Sequence, residues 1–352
     1  MLSFDIQHFP TCEHQDTIHH VEFDFYGKRV ATVSSDKVVC IWDKTPAGWV
    51  KTAWWKKHGG AVWKARFAHP EYGQILATSS FDNTIQIFDK DATDSTEQIS
   101  HTGVHIGRMD SSNGWSRRRV LTESTSNITD IQFAPHYLGL RLAACTAAGK
   151  IMIWEADDIM ALENWNITFN FEASNYRLSS LTWSTNRYHP PLITASSDDA
   201  DASPAEKLVM VKFNTNMTSY KPLKDKMDFN DQVTYVSFGP SAGLTYHKLG
   251  IAAGNSIYIY HLQVQGEDDS NGTRNQASTD QEFSIKPYIK LENGNSQVVR
   301  ISWNILGDVI SAVYADGYVR LWKYTFSNKW ALVSVVNPPE EAEKVNKDDV
   351  YY

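Results

Sequence analysis

The sequence predicts an all-β protein in which six four-stranded sheets stand around a central axis, that is, a six-bladed β-propeller. Two observations predict this fold. A pattern of short alternating apolar strands separated by turn residues occurs six times along the chain. In each copy the third strand ends in an aromatic residue, and these residues are Trp42, Phe88, Trp154, Phe213, Tyr260 and Trp322.

The first copy shows how each element is derived. The runs 18–23, 29–36 and 38–42 alternate apolar and polar side chains in the manner of half-buried strands, and 49–54 supplies a fourth strand. Small residues in the middle strands, such as Ala31, suit the crowded space between neighbouring sheets. Sheets arranged radially bury both faces and leave only short edges.

The shortest spacings between closing aromatic residues approach the roughly 40–45 residues of a WD40 blade. The longer spacings contain polar insertions, as expected for loops. We place an N-terminal extension at 1–17, the propeller at 18–336 and a charged tail at 337–352. The blades are expected near 18–57, 60–122, 126–172, 176–224, 230–291 and 296–336.

Asp36, Asp82 and Asp316 each occupy a tight turn between the second and third strands of a copy. Asp accepts hydrogen bonds from nearby backbone N–H groups and tolerates turn geometry. The three carboxylates belong to different blades, whereas acid–base catalysis needs groups that converge on one substrate. We therefore predict a structural role in the turns.

Composition and motifs favour a binding protein over an enzyme. The chain of 352 residues has a formal net charge of −8, which argues against a nucleic-acid-binding face. Its three cysteines lack C-x-x-C spacing, and Gly-rich phosphate loops and hydrolase motifs are absent from the sequence. His14, His19 and His20 form the one metal-like cluster, but neighbours on a strand point to opposite faces. The sequence thus predicts no catalytic residue, no metal and no cofactor.

Hydropathy and the N-terminus indicate a protein of the cytosol or nucleus. No run of 18 apolar residues occurs, and residues 1–10 lack the features of a signal peptide. We expect any membrane association to come through partner proteins.

The surplus of aromatic residues has two readings. Aromatic anchors on a rigid scaffold are typical of protein-binding surfaces, but packing between outer strands would account for the same residues. The tryptophans in question are Trp49, Trp54, Trp55, Trp115, Trp165 and Trp330. Three polar stretches, 91–122, 197–205 and 265–282, are interpreted as solvated loops.

Several motifs resemble one propeller family. They are His69-Pro70-Glu71-Tyr72-Gly73, Phe133-Ala134-Pro135-His136-Tyr137-Leu138-Gly139-Leu140 and the stretch from Asn295 to Asn304. Together with the stretch from Phe23 to Asp36, they are similar to the Seh-type nucleoporins, relatives of the Sec-type propellers of secretory-vesicle coats. The resemblance covers the chain from about Ile18 to Trp330.

This resemblance implies an open six-bladed ring, completed by a seventh blade that a helical scaffold nucleoporin donates between the first and last blades. It also implies a non-catalytic scaffold role in the Y-shaped outer-ring complex of the nuclear pore, which supports nucleocytoplasmic transport of mRNA and protein. Further implied settings are the lysosome-associated GATOR assembly, which regulates TOR signalling by amino acids, and the kinetochore. The alternatives are a vesicle-coat propeller subunit or a generic WD40 adaptor.

The strand pattern is compatible with an open ring. The first and last copies each contain their four strands in order, so no spare terminal strand is evident to lock the ring, although apolar residues within 2–9 could pair somewhere. An unlatched ring exposes two sheet faces, which are costly unless a partner strand covers them. We predict partner contacts at Val21 and Phe23 in blade 1 and at Val299 and Ile301 in blade 6.

Overall fold

The computed structural model describes residues 14–90, 112–214, 219–223, 225–241, 243–264, 283–292, 295–327 and 329–337. Within these residues, six antiparallel four-stranded sheets follow one another along the chain, which confirms the predicted six-bladed β-propeller. Most of the predicted N-terminal extension, residues 91–111 and 265–282, and the residues after 337 lie outside the described residues. The sequence predicts a loop over 91–122, but 115–121 form a strand in which Trp115 is buried, so this prediction is wrong for that part.

The first three blades contain strands β1 to β12. Their bounds are β1 (Ile18–Phe23), β2 (Arg29–Ser34), β3 (Val39–Thr45), β4 (Gly48–Trp55), β5 (Val62–Phe67), β6 (Ile75–Ser80), β7 (Ile85–Lys90), β8 (Trp115–Leu121), β9 (Ile128–Phe133), β10 (Arg141–Thr146), β11 (Lys150–Ala156) and β12 (Trp165–Glu172).

The last three blades contain strands β13 to β24. Their bounds are β13 (Ser180–Trp183), β14 (Leu192–Ser196), β15 (Leu208–Asn214), β16 (Ser219–Pro222), β17 (Val233–Phe238), β18 (Tyr246–Ala253), β19 (Ser256–Val264), β20 (Phe283–Glu292), β21 (Val298–Trp303), β22 (Val309–Tyr314), β23 (Val319–Tyr324) and β24 (Trp330–Val336). Short 3₁₀ turns occur at Pro70–Tyr72, His136–Leu138 and Pro204–Glu206, and no helix of the described residues is long and apolar enough to cross a membrane.

Apolar clusters between consecutive blades form the core. In the described residues, one cluster joins each pair of blades from 1 and 2 through to 5 and 6. A sixth cluster, built on Val30, Cys40, Trp42 and Trp49, lies inside blade 1. The six clusters include none that joins blade 6 to blade 1. Face-to-face packing of this kind is the main stabilising contribution in stacked sheets.

The outer-strand tryptophans belong mostly to this core. Trp55 is fully buried and packs against Phe88 and Trp115 of blade 2, with ring centroids 4.7 and 5.9 Å apart. Trp49 and Trp165 are also buried, while Trp54 and Trp330 are half-buried. Packing of outer strands therefore accounts for these residues better than an exposed binding surface does.

A side-chain network anchors the turn of blade 1. His14 Nδ1 lies 3.0 Å from Asp36 Oδ2, and His14 Nε2 lies 2.9 Å from Thr32 Oγ1. Trp42 Nε1 donates to Thr32 Oγ1 at 3.0 Å. These bonds tie the turn to the closing aromatic residue of the blade.

Blade 2 repeats the network around His58, which lies 3.1 Å from Asp82 Oδ2 and 2.8 Å from Thr78 Oγ1. Sequence analysis missed this role of His14 and His58, since their partners are distant in sequence. In blade 6, Asp316 instead pairs with Arg320 at 2.8 Å and accepts from Tyr318 N at 3.0 Å. All three turn carboxylates thus bond within their own blade.

Replacing Asp82 by Ala should lower the free energy of unfolding by roughly 1–3 kcal/mol, since it removes the acceptor for His58 and Gly59 N. Asp36→Ala should behave similarly. Asp316→Ala should cost less, because its network is more exposed and lacks a histidine. Urea denaturation measures the three values, and equal costs for all three variants would contradict the assigned networks.

The same carboxylates make stability depend on acid pH. Burial alone would raise the pKa of Asp82, but hydrogen bonds from His58 and Thr84 outweigh it and hold the pKa below its usual value. A depressed folded-state pKa contributes stability that is present above about pH 4 and lost as the pH falls through the folded-state pKa. The stability difference between wild type and Asp82→Ala should therefore shrink between about pH 5 and pH 2. A constant difference would contradict the assignment.

Candidate partner-binding site

The inner strand of blade 1 exposes apolar side chains on one face of its sheet, although Val30 and Trp42 on the same face are buried. On β1, Ile18 is 40% exposed, Val21 is 41% exposed and Phe23 is 54% exposed. These side chains belong to the face that, in every other blade, packs on the blade before it. We call the junction between blade 6 and blade 1, with the apolar faces on its two sides, the seam.

The other five blades provide an internal comparison for this face. At the position of Val21 the exposed fraction never exceeds 2%, and at the position of Ile18 it never exceeds 1%. The residues at the Val21 position are Ala65, Ile131, Leu181, Val236 and Ile301, and those at the Ile18 position are Val62, Ile128, Leu178, Val233 and Val298. Blade 1 therefore differs in its surroundings, not in the chemistry of its inner strand.

Blade 6 shows the complementary exposure on its opposite face. Val313 on β22 is 38% exposed, and Val299 on β21 is 47% exposed. The residues at the position of Val313 in blades 1 to 5 are all 0% exposed; they are Val33, Ser79, Cys145, Ser196 and Ala252. The seam is thus lined by apolar side chains on both sides.

The structure separates the four predicted contact residues. Val21, Phe23 and Val299 face the seam, whereas Ile301 is 1% exposed and packs in the cluster between blades 5 and 6. A β-bulge between Val298 and Arg300 is the physical reason, because it breaks the two-residue alternation and puts Val299 and Ile301 on opposite faces. Ile301 is therefore corrected to a core residue.

Sequence analysis missed Ile18 and Val313, which also line the seam. Their exposure follows from the position of their blades in the ring and not from their residue type. An alignment of the six copies by strand register identifies both residues.

A polar contact crosses the seam near the axis. Arg300 Nη2 on β21 donates to His20 Nε2 on β1 at 3.1 Å. Burial lowers the pKa of His20 well below its usual value, and the charges of Arg66, Lys64 and Arg300 lower it further. His20 is therefore neutral near pH 7 and able to accept this hydrogen bond.

The axis itself is filled by paired charges. Arg66 lies 3.0 Å from Glu22 and 3.9 Å from Asp130, and Lys64 lies 3.6 Å from Asp130. The Lys64 ammonium of blade 2 is 6.0 Å from the ring of Tyr235 in blade 5, so side chains from opposite sides of the ring approach each other. The two cations Lys64 and Arg66 and the two carboxylates Glu22 and Asp130 neutralise one another.

Two further features concern the histidines and a surface groove. Within the described residues, no group of three or more His, Cys, Asp or Glu side chains could hold a metal ion, and His14, His19 and His20 contact different partners. A groove of about 1000 Å³ lies beside blades 1 to 3; it is lined by Arg29, which pairs with Asp43, and by the ion pair Arg118–Asp89.

A matched pair of substitutions tests the exposure of the seam. Val21→Ala should change the free energy of unfolding of the isolated chain by less than about 0.5 kcal/mol, because Val21 has no covering blade. Val236→Ala, at the same position in blade 5, should cost roughly 2 kcal/mol. Denaturant titration measures both, and an equal cost at Val21 would show that blade 6 already covers that side chain.

Comparisons with known proteins agree with the fold. The family model of the WD domain, G-beta repeat, matches residues 7–43 and 50–89. In the solved structure titled "Crystal Structure of Mitotic Checkpoint Complex", one chain matches with a TM-score of 0.60 and 14% identity. The match covers 89% of this chain and 76% of that one, and it indicates the fold alone.

Curated relatives match over nearly the whole chain. Nucleoporin SEH1 of Homo sapiens is 36% identical over 331 residues, covering 92% of this chain and 86% of its own length. Nucleoporin SEH1 of Danio rerio is 34% identical over 330 residues, covering 92% and 85%. At this identity and coverage, the chain belongs to the SEH1 family of WD40-repeat nucleoporins.

Proposed function

We propose that this chain is a non-catalytic scaffold subunit of the Y-shaped outer-ring complex of the nuclear pore, and that its seam binds a blade donated by a helical scaffold nucleoporin. The observation that carries the proposal is the exposure of Ile18, Val21 and Val313 at the seam. Each has a buried counterpart in every other blade. The membership in the SEH1 family supports the nuclear pore as the setting.

Strand donation suits the seam for a physical reason. Apolar sheet faces left in water are unfavourable and prone to non-specific association, and a partner sheet of similar width removes both costs. A donated blade would repeat the packing that already joins blade 1 to blade 2, where Val62 and Ala65 are fully buried. The partner therefore needs a four-stranded or smaller sheet with apolar residues on both faces.

The family setting extends the proposal beyond the pore. Membership in the same family supports a second role in the GATOR assembly at the lysosomal surface, in control of TOR signalling by amino acids, and a mitotic role at kinetochores. In each setting the chain would act through the same seam, where Ile18, Val21 and Val313 are exposed.

Affinity capture tests the proposal. The tagged full chain, expressed in cells of the organism that encodes it, should recover helical nucleoporins of the outer ring. Val21→Asp should reduce that recovery at least tenfold. A buried, unpaired carboxylate in the seam is costly, so the loss should be large. The matched control is Ile167→Asp on β12 of blade 3, an exposed apolar residue away from the seam.

The control variant should recover the same nucleoporins as the wild type. Equal recovery by Val21→Asp would overturn the seam as the binding site. Recovery of vesicle-coat subunits in place of nucleoporins would overturn the proposed assembly while leaving strand donation intact.

A further inference from the structure

The inner strands of this propeller leave a row of backbone donors directed away from their own sheets. In blade 4, Ser184 N donates to Leu192 O at 2.8 Å, so the N–H groups of Leu181 and Trp183 point the other way. These donors need acceptors, because unpaired N–H groups in a packed interior cost free energy.

Side chains of the preceding blade supply those acceptors. Asp130 Oδ2 of blade 3 accepts from Leu181 N at 3.1 Å, and Gln132 Oε1 accepts from Trp183 N at 3.0 Å. At the next junction, Ser180 Oγ of blade 4 accepts from Val236 N at 3.2 Å. At these two junctions, a side chain of one inner strand thus accepts a hydrogen bond from the backbone of the next inner strand.

Blade 1 has the same donors facing the seam. Asp24 N donates to Arg29 O at 2.9 Å, which sets the same register, so the N–H groups of Val21 and Phe23 point away from β2. The residue of blade 6 that stands where Asp130 stands in blade 3 is Arg300. A guanidinium has hydrogen-bond donors only, so Arg300 cannot accept a hydrogen bond from Val21 N.

The junction between blades 2 and 3 shows how this protein accommodates such cations. Lys64 of blade 2 occupies the same position as Arg300 and is likewise unable to accept. The carboxylate of Asp130 in blade 3 is fully buried and lies 3.6 Å from Lys64 and 3.9 Å from Arg66. The carboxylate of Asp130 therefore neutralises Lys64 and Arg66 of blade 2 and accepts a hydrogen bond from the inner strand of blade 4.

At the seam, the positive charge of Arg300 is not balanced in the way that the other charges near the axis are. Lys64 and Arg66 have Glu22 and Asp130 as counterions, whereas the described partners of Arg300 are the neutral His20 and the ring of Tyr235, 5.5 Å away. Among the described residues, no carboxylate lies within ion-pair distance of Arg300. A half-buried guanidinium of this kind favours a carboxylate ligand.

We propose that the polypeptide inserted at the seam carries a carboxylate on its innermost strand, which pairs with Arg300 and accepts the hydrogen bond of Val21 N. The inference rests on the proposed strand donation and adds to it the residue chemistry that selects the partner. Arg300 is then a specificity residue. It cannot itself accept the hydrogen bond of Val21 N, and it favours a partner strand that carries a carboxylate.

The test uses the full chain and the partner recovered with it, both purified and reassembled. A photo-reactive phenylalanine derivative placed at Val21 identifies the partner segment by cross-linking and peptide sequencing. Titration then gives the dissociation constants of wild type, Arg300→Gln and Lys221→Gln. Lys221 is an exposed residue of β16 in blade 4, away from the seam, and serves as the matched loss of one charge.

The proposal expects an Asp or Glu in the cross-linked strand and at least tenfold weaker binding by Arg300→Gln, with Lys221→Gln close to wild type. Arg300→Lys should recover part of the affinity, and its thermal unfolding should match that of the wild type. Replacing the partner carboxylate by its amide should weaken binding to wild type but not to Arg300→Gln.

Two results would overturn the proposal without affecting strand donation. One is a cross-linked strand without a carboxylate, and the other is unchanged affinity of Arg300→Gln. The absence of any cross-link from position 21 to the bound partner would instead overturn the proposed function together with this inference.

Discussion

Packing of each blade on the one before it is the constraint on which the rest of the structure depends. The inner strand of blades 2 to 6 presents an apolar residue that is at most 2% exposed, as at Val236 and Ile301. The repeat encodes the same kind of side chain in blade 1, where no such cluster covers it among the described residues. The seam is therefore exposed because blade 1 repeats the apolar inner strand of the other blades, while no apolar cluster joins it to blade 6 among the described residues.

Polar interactions follow the same repetition. Turn carboxylates bond within their blades, as Asp36 and Asp82 do with His14 and His58, and these bonds stabilise individual sheets. The side chains nearest the axis, such as Asp130, bond between blades instead. Stability of the sheets and closure of the ring thus depend on different residues, and the seam lacks the second kind of contact apart from Arg300 and His20 in the described residues.

The sequence predicted the number of blades, the order of strands and the closing aromatic residues, because these depend on local alternation and turn chemistry. It also placed Val21, Phe23 and Val299 near the last junction. It misplaced Ile301, since the β-bulge of β21 interrupts the two-residue alternation and places Val299 and Ile301 on opposite faces. Long-range partners such as His14 with Thr32, or Lys64 with Asp130, depend on how segments distant in sequence pack together and could not be predicted from spacing.

Amide hydrogen exchange on β1 tests the central claim most directly, namely that the seam is completed by another polypeptide. In the isolated chain, the amides of Val21 and Phe23 should exchange faster than those of Leu181 and Trp183, whose N–H groups bond to Asp130 and Gln132. Addition of the seam partner should slow exchange at Val21 and Phe23 at least tenfold and leave Leu181 and Trp183 unchanged. Slow exchange at Val21 in the isolated chain, unaltered by the partner, would show a ring closed by blade 6 alone and would contradict the account.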